Sequence, residues 1–251
     1  MDDLIPMPTE SSPGSAPFWT TPEFPRVLPF AVFLLIGSLA GKFFPGSEYW
    51  IYALKTLAVA GLLWVLRKRL PEMRWEFTAP GVVVGVLVAL AWIGMDGFIP
   101  SLSEIYDRLS TLWTGRPAQP QPEDPPWNPL AFFKDNPALG WGFLAIRVLG
   151  RSVLVPMIEE VFYRSFLYRM IVRPDFLEVS LRTWNPMAFA GTCLLFGLSH
   201  PGQWLAAIVC AALYQGLVLK LGRIGDAMVA HGVTNGLISA YAISTGHWQF
   251  T

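Results

Sequence analysis

The 251-residue sequence has little charge. Only 14% of its residues are Asp, Glu, Lys or Arg, the 18 acidic residues cancel the 18 basic ones, and 53% are hydrophobic. An ordinary soluble domain carries about a quarter charged residues, so this composition argues for a membrane domain. With no net charge and no basic patch interleaved with exposed aromatics, nucleic acid is not an expected partner. Cysteine is scarce too: Cys193 and Cys210 both lie in apolar runs and read as small buried thiols rather than a disulfide or a nucleophile. There is no H-E-x-x-H zinc signature and no internal repeat. Residues 1–25 lack the basic start and short apolar core of a secretory signal and carry Asp2, Asp3 and Glu10 among prolines. They are expected to form a flexible Pro-rich tail ahead of one membrane-embedded domain, 26–251.

Long apolar runs are what the chain does have. Val27–Phe44, Tyr49–Leu66 and Pro80–Ile99 approach or reach the roughly 20 residues a spanning helix needs, giving three accessory spans within 26–99. From 100 to 137 prolines interrupt the pattern, which predicts an extracytoplasmic loop. Within it, Leu102–Leu109 fits a short amphipathic surface helix, with Trp113 and Trp127 at headgroup level. The core, 138–246, begins with a long apolar stretch to about Val172, read as one tilted helix kinked or split at Pro156, and continues with Asn185–His200, Gln203–Leu221 and Asp226–Ser244. The expected fold is all-α, a polytopic membrane helix bundle with about seven to eight transmembrane helices. Arg67-Lys68-Arg69 is the densest basic run, and the positive-inside rule places it in the cytoplasm.

Charge inside those runs marks the chemistry. Ionised groups at membrane depth cost about 2.5–3.5 kcal/mol on insertion scales and face bundle interiors or wet cavities. Glu159, Glu160 and Arg164 fall in one such run. On a helix, Glu160 and Arg164 are i,i+4 and form an ion pair, whereas Glu159 projects about 100° away and stays available. A competing reading has both acids only pinning helices through Arg164 and Arg151. His200 ends one span, and His231 and Asn235 share a face of the last, one turn apart.

A carboxylate and a histidine can activate a water, while an imidazole N–H and an amide can hold an oxyanion. Alternatively, Glu159, His200 and His231 can bind Zn²⁺ with water in the fourth position. A proton-coupled transporter or a scaffold would use the same groups differently. Cys193 lies about 10 Å along the helix from His200, too far for a dyad. Asp226 reads as a helix N-cap, Asp96 as interfacial and His247 as incidental. Straight helices would leave His231 about two turns from the inner surface and Glu159 nearly four, so the site requires breaks or tilts.

Three motifs in order, E-E-x-x-x-R at Glu159–Arg164, F-x-x-x-H at Phe196–His200 and H-x-x-x-N at His231–Asn235, resemble the CPBP family of intramembrane proteases, the CAAX-protease and bacteriocin-processing or Abi enzymes. The resemblance covers roughly Gly140 to Ser244. It implies a glutamic endopeptidase without a metal cofactor, in which Glu159 and His200 activate water and His231 and Asn235 stabilise the oxyanion. Glu160, Arg164 and Phe196 support them. Peptide or membrane-protein substrates and membrane lipid are the implied partners. The layout with three preceding spans and a Pro-rich insertion resembles the CAAX-protease-related proteins found with bacterial exosortase systems. It implies a multi-pass protein, of the inner membrane in a bacterial source.

Overall fold

The computed structural model describes residues 17–43, 46–116 and 126–250. Every regular element among them is helical. The helices are α1 (Phe24–Phe43), α2 (Glu48–Leu66), α3 (Ala79–Gly94), α4 (Leu102–Thr114), α5 (Pro129–Phe132), α6 (Pro137–Val172), α7 (Pro186–Leu198), α8 (Trp204–Leu221) and α9 (Gly225–Thr245). Three of these starts share one device. Asn128, Asn136 and Asn185 each precede a proline at the first helical position and accept a backbone N–H three residues on, from Ala131, Leu139 and Ala188. The side chain satisfies an orphan donor, and proline is preset for the first turn.

Three helical stretches are long and apolar enough to cross a membrane: Glu48–Arg69, Pro137–Val172 and Pro201–Leu221. Shorter apolar segments occupy Phe24–Ser38, Ala79–Gly94 and Pro186–Leu198. Leu54, Leu57, Trp64, Leu90 and Leu198 face outward, as a lipid exterior requires. Glu160, Arg164, Gln215, Asp226 and His231 are buried. This is an integral membrane protein with a polar interior.

The interior is organised around α9. Gly81 and Gly85 of α3, four residues apart, let the two backbones touch. A Cβ at Gly85 would stand 2.5 Å from the Ala230 carbonyl oxygen and 2.8 Å from Val233 Cβ, and one at Gly81 would lie 3.0 Å from the Asp226 carbonyl. Small residues at this spacing make close helix seams in membranes. On the other side of α9, a Cβ at Gly232 would come within 2.6 Å of the Ser152 carbonyl of α6. Both flanks of α9 therefore seat backbone to backbone.

Pro156 does not split α6, which runs helically from Pro137 to Val172. The proline is absorbed instead by a π turn at Gly150–Leu154, and a second π turn lies beyond it at Val161–Leu167. Other expectations also change. The amphipathic helix extends to Thr114, closed by a Ser101–Glu104 capping box and by Gly115 in the left-handed conformation. Trp113 is exposed, whereas Trp127 packs on Tyr49 and under the Arg147 guanidinium.

Asp226 is not the N-cap. It lies one residue inside α9, fully buried, and accepts hydrogen bonds from Thr78 Oγ1 and Arg223 Nε. Asp96 accepts from Gln203 Nε2 at 2.7 Å. Both cysteines are free and buried. Of the expected tail and loop, residues 1–16 and 117–125 lie outside the described residues. The chain from Trp19 to Thr21 is held by the Arg69 guanidinium through three backbone carbonyls.

Candidate active site

Between its two π turns, α6 presents Val155–Glu160 in α-helical form. Each π turn adds one residue to a turn and so rotates the residues beyond it, a feature that recurs at functional sites. Glu160 and Arg164 meet at 3.2 Å and both are completely buried, as the i,i+4 spacing predicts. Arg164 also lies 5.1 Å from the ring centre of Phe196 and 5.6 Å from that of Tyr163. Glu160 has a second partner that spacing could not reveal: its Oε1 is 3.0 Å from Nδ1 of His231.

A carboxylate can only accept, so His231 donates from Nδ1 to Glu160. This fixes the ring and points Nε2 at Glu159, whose Oε2 is 4.0 Å away. That carboxylate oxygen is buried and takes part in no hydrogen bond. Tyr214 packs against the His231 ring at 5.4 Å and donates to Thr234, which in turn reaches the Gly85 carbonyl at 2.8 Å. The α3 seam is thereby tied to the histidine. Arg151 takes no part in an ion pair with either acid; its guanidinium donates to the Phe250 carbonyl.

Phe196 explains the second motif. Its ring stacks on His200 at 4.6 Å, while its carbonyl oxygen lies 2.9 Å from Nδ1 of that histidine. A carbonyl cannot donate, so Nδ1 carries the proton, and in the neutral ring Nε2 holds a free lone pair. Ser199 adds a contact at 3.1 Å and is itself held by Tyr163.

Asn235 donates from Nδ2 to the Arg151 carbonyl at 2.8 Å. In the π register of this turn, set by Val155 N–H bonding to the Gly150 carbonyl, the donor for Arg151 would be residue 156. That residue is proline and has none. The helix defect and the amide on α9 complement each other, leaving one N–H of Asn235 unspent.

His200, His231 and Asn235 line one cavity of about 260 Å³ together with Trp92, Tyr52 and the cationic side chains Lys55, Arg147 and Arg151. The structure brings Glu159, Glu160, Arg164 and His231 into direct contact, and His200 and Asn235 to the cavity His231 faces. His247 stacks on Tyr241 near the chain end, apart from that cavity. Glu159, His200 and His231 are not gathered as a metal-binding group; no three His, Cys, Asp or Glu side chains are so gathered among the described residues. Sequence spacing overlooked Lys55, Tyr163 and Tyr214. A single lysine in the apolar α2 was the available signal for the first, and nothing distinguished the tyrosines from packing residues.

No curated protein and no solved structure matches the chain. A family model does match, over residues 141–237, and its description is type II CAAX prenyl endopeptidase, Rce1-like. That segment runs from the second turn of α6 to the middle of α9 and holds all three motifs. By this match, residues 141–237 are similar to the Rce1-like family of type II CAAX prenyl endopeptidases.

Proposed function

We propose that the protein is a multi-pass intramembrane endopeptidase of glutamic type, crossing the membrane seven times, with α1, α2, α3, α6, α7, α8 and α9 as the spans. The observation that carries this reading is the unpartnered Glu159 Oε2 facing His231 Nε2 at 4.0 Å, beside a cavity that two histidines share. Glu159, helped by the free Nε2 of His200, removes the proton of a water as its oxygen attacks the peptide carbonyl carbon. The carbonyl oxygen becomes an oxyanion, which takes N–H donors from His231 Nε2 and the remaining amide hydrogen of Asn235. Collapse breaks the C–N bond, and the proton held by Glu159 passes to the departing amine.

Charge counting supports these roles. Arg164 cancels one carboxylate of the Glu pair, and a doubly protonated His231 cancels the other. When Glu159 takes the proton, the cluster gains one positive charge as the oxyanion gains one negative. The step therefore leaves the summed charge of these groups and the oxyanion unchanged, which a low-dielectric interior favours.

The same residues can be tested against zinc and transport. In purified protein reconstituted in nanodiscs, Glu159→Gln and His200→Ala should each abolish hydrolysis of a membrane peptide, with chelators without effect. A precursor should accumulate in the membranes of Glu159→Gln cells. Stoichiometric zinc with chelator-sensitive hydrolysis would replace the metal-free chemistry. Proton flux lost in Glu159→Gln without any cleavage would replace the peptidase.

A further inference from the structure

A groove lies between α2 and α6, away from the histidines. The two helices are pinched together at Gly150, where a Cβ would stand 2.8 Å from the Tyr52 hydroxyl and 3.3 Å from Thr56 Cγ2. Toward the Arg67 end of α2 a space of about 490 Å³ opens between them, walled by Leu63, Trp64 and Arg67 of α2 and by Val153, Leu154 and Met157 of α6. No acidic residue lines it. The Thr56 hydroxyl, at the pinched end, is spent on the Tyr52 carbonyl at 2.7 Å, so the walls offer hydrocarbon and the mouth offers one cation. Arg67 is exposed there and takes part in no ion pair among the described residues. Its guanidinium lies 3.9 Å from the ring centre of Trp64 and donates to the Trp64 carbonyl. A guanidinium has five N–H donors, so most of them stay free.

Depth and charge together define the occupant. Arg67 follows Thr56 by eleven residues of helix, about 16 Å at 1.5 Å per residue, and one leaflet supplies half of a hydrocarbon core roughly 30 Å thick. The groove is therefore one leaflet deep, with its cation at headgroup level, where Lys68 and Arg69 continue the basic run. The positive-inside rule assigns that run to the cytoplasmic side, whose leaflet carries the anionic lipids that clustered lysine and arginine attract. A neighbouring helix could cover the apolar walls but would bring no negative charge to Arg67. We propose that the groove between α2 and α6 binds one anionic phospholipid of the cytoplasmic leaflet, with an acyl chain between Leu63 and Leu154 and its phosphate on Arg67. A guanidinium fork suits phosphate in bidentate geometry. Gly150, Val153 and Leu154 belong to the first π turn, so this lipid packs against the helix break that receives Asn235. The site holds whether or not the protein cuts peptides.

Native mass spectrometry tests the site on the full-length protein, released from nanodiscs that contain phosphatidylglycerol and phosphatidylcholine in equal amounts. The wild-type protein should retain one phosphatidylglycerol with a preference of about tenfold or more over phosphatidylcholine. Arg67→Gln should bring that preference close to parity. Ala60 is an exposed residue of the groove wall, and Ala60→Phe should displace the lipid whatever its headgroup. Phosphatidylglycerol with a diazirine on its acyl chain should label residues 63–67 and 153–157 of the wild-type protein, a readout that needs no variant to fold. Equal retention of the two lipids by the wild-type protein overturns the site, and so does labelling spread evenly over the bundle. A preference that survives Arg67→Gln removes the phosphate from Arg67, and one that survives Ala60→Phe assigns the lipid to the surface basic run; either overturns the site. So would a prenylated peptide without phosphate that competes for the groove as well as phosphatidylglycerol does, equally in Arg67→Gln, since the groove would then hold a neutral tail.

Discussion

Asn235 and Pro156 are complementary: the amide of one fills the acceptor that the missing N–H of the other leaves open at the Arg151 carbonyl, 2.8 Å away. The pairing sets the register of α9 against α6 and so aims His231 at the two glutamates. Pro156→Ala restores a backbone donor that competes with Asn235. We expect this variant to remain folded in nanodiscs yet to lose activity at least tenfold, an effect measurable as kcat on a membrane peptide. Unchanged kcat would show that α9 is seated without this bond.

Glu159 and Glu160 should separate cleanly by phenotype. Glu159→Gln removes a carboxylate with no hydrogen bond at Oε2, so activity should fall by about 10² or more with little change in thermal stability. Glu160→Gln breaks contacts to both Arg164 and His231 and should lower both. Activity assays paired with melting curves decide it.

Arg164 is fully buried, and among the described residues its one ion partner is Glu160. Arg164→Met leaves the buried Glu160 carboxylate with His231 as its remaining partner, and breaking a buried pair in this way costs up to about 3–5 kcal/mol. Denaturation of the reconstituted protein should show that loss, and a wild-type unfolding curve for the variant would contradict the pairing.

Gly85 allows α3 and α9 to touch. With 2.5 Å from its would-be Cβ to the Ala230 carbonyl, Gly85→Ala forces α9 away at a cost of about 1–3 kcal/mol and moves His231 with it. Gly81→Ala, with 3.0 Å available, should be milder. Comparing the two in unfolding and activity checks the seam.

The loop helix α4 carries a pH signature. Glu104 accepts the Ser101 backbone N–H at 2.6 Å, with a further bond from the Ser101 hydroxyl, and these hold its carboxyl below the ordinary value of 4.5. A lowered carboxyl stabilises the folded helix above that ordinary value, and the contribution disappears as pH falls through the lower, folded one. Backbone chemical shifts of α4 should therefore stay helical at neutral pH and move toward coil on acidification; Ser101→Ala, which keeps the backbone N–H and loses the hydroxyl bond, should remove only part of that dependence.

Much of the site was legible because it is written in spacing. Glu160 and Arg164 at i,i+4, and His231 and Asn235 one turn apart, follow from helical geometry alone. Phe196 to His200 has the same spacing. What spacing could not show was where the helix departs from 3.6 residues per turn. The π turns at Gly150–Leu154 and Val161–Leu167 are set by tertiary contacts, and only Pro156 hinted at the first. Glu160, assigned wholly to Arg164, serves His231 as well, because that partner is 71 residues away in the chain. Asp226 looked like a cap by position, but Thr78, 148 residues earlier, claims it. The apolar runs located the helices to within a few residues, while α3 and α7 ended several and two residues early, before Met95 and Ser199.

The close seating of α9 bears on how the protein is made. This helix carries Asp226, His231 and Asn235 and is not among the three stretches apolar enough to cross a membrane on their own. It leaves the ribosome after α3 and α6, whose Gly81, Gly85 and Ser152 form its seat. We expect sequential assembly, in which the earlier helices form a slot and the helix bearing His231 and Asn235 enters against protein rather than lipid. In that order, His231 meets Glu159 and Glu160 only once the rest of the bundle is in place.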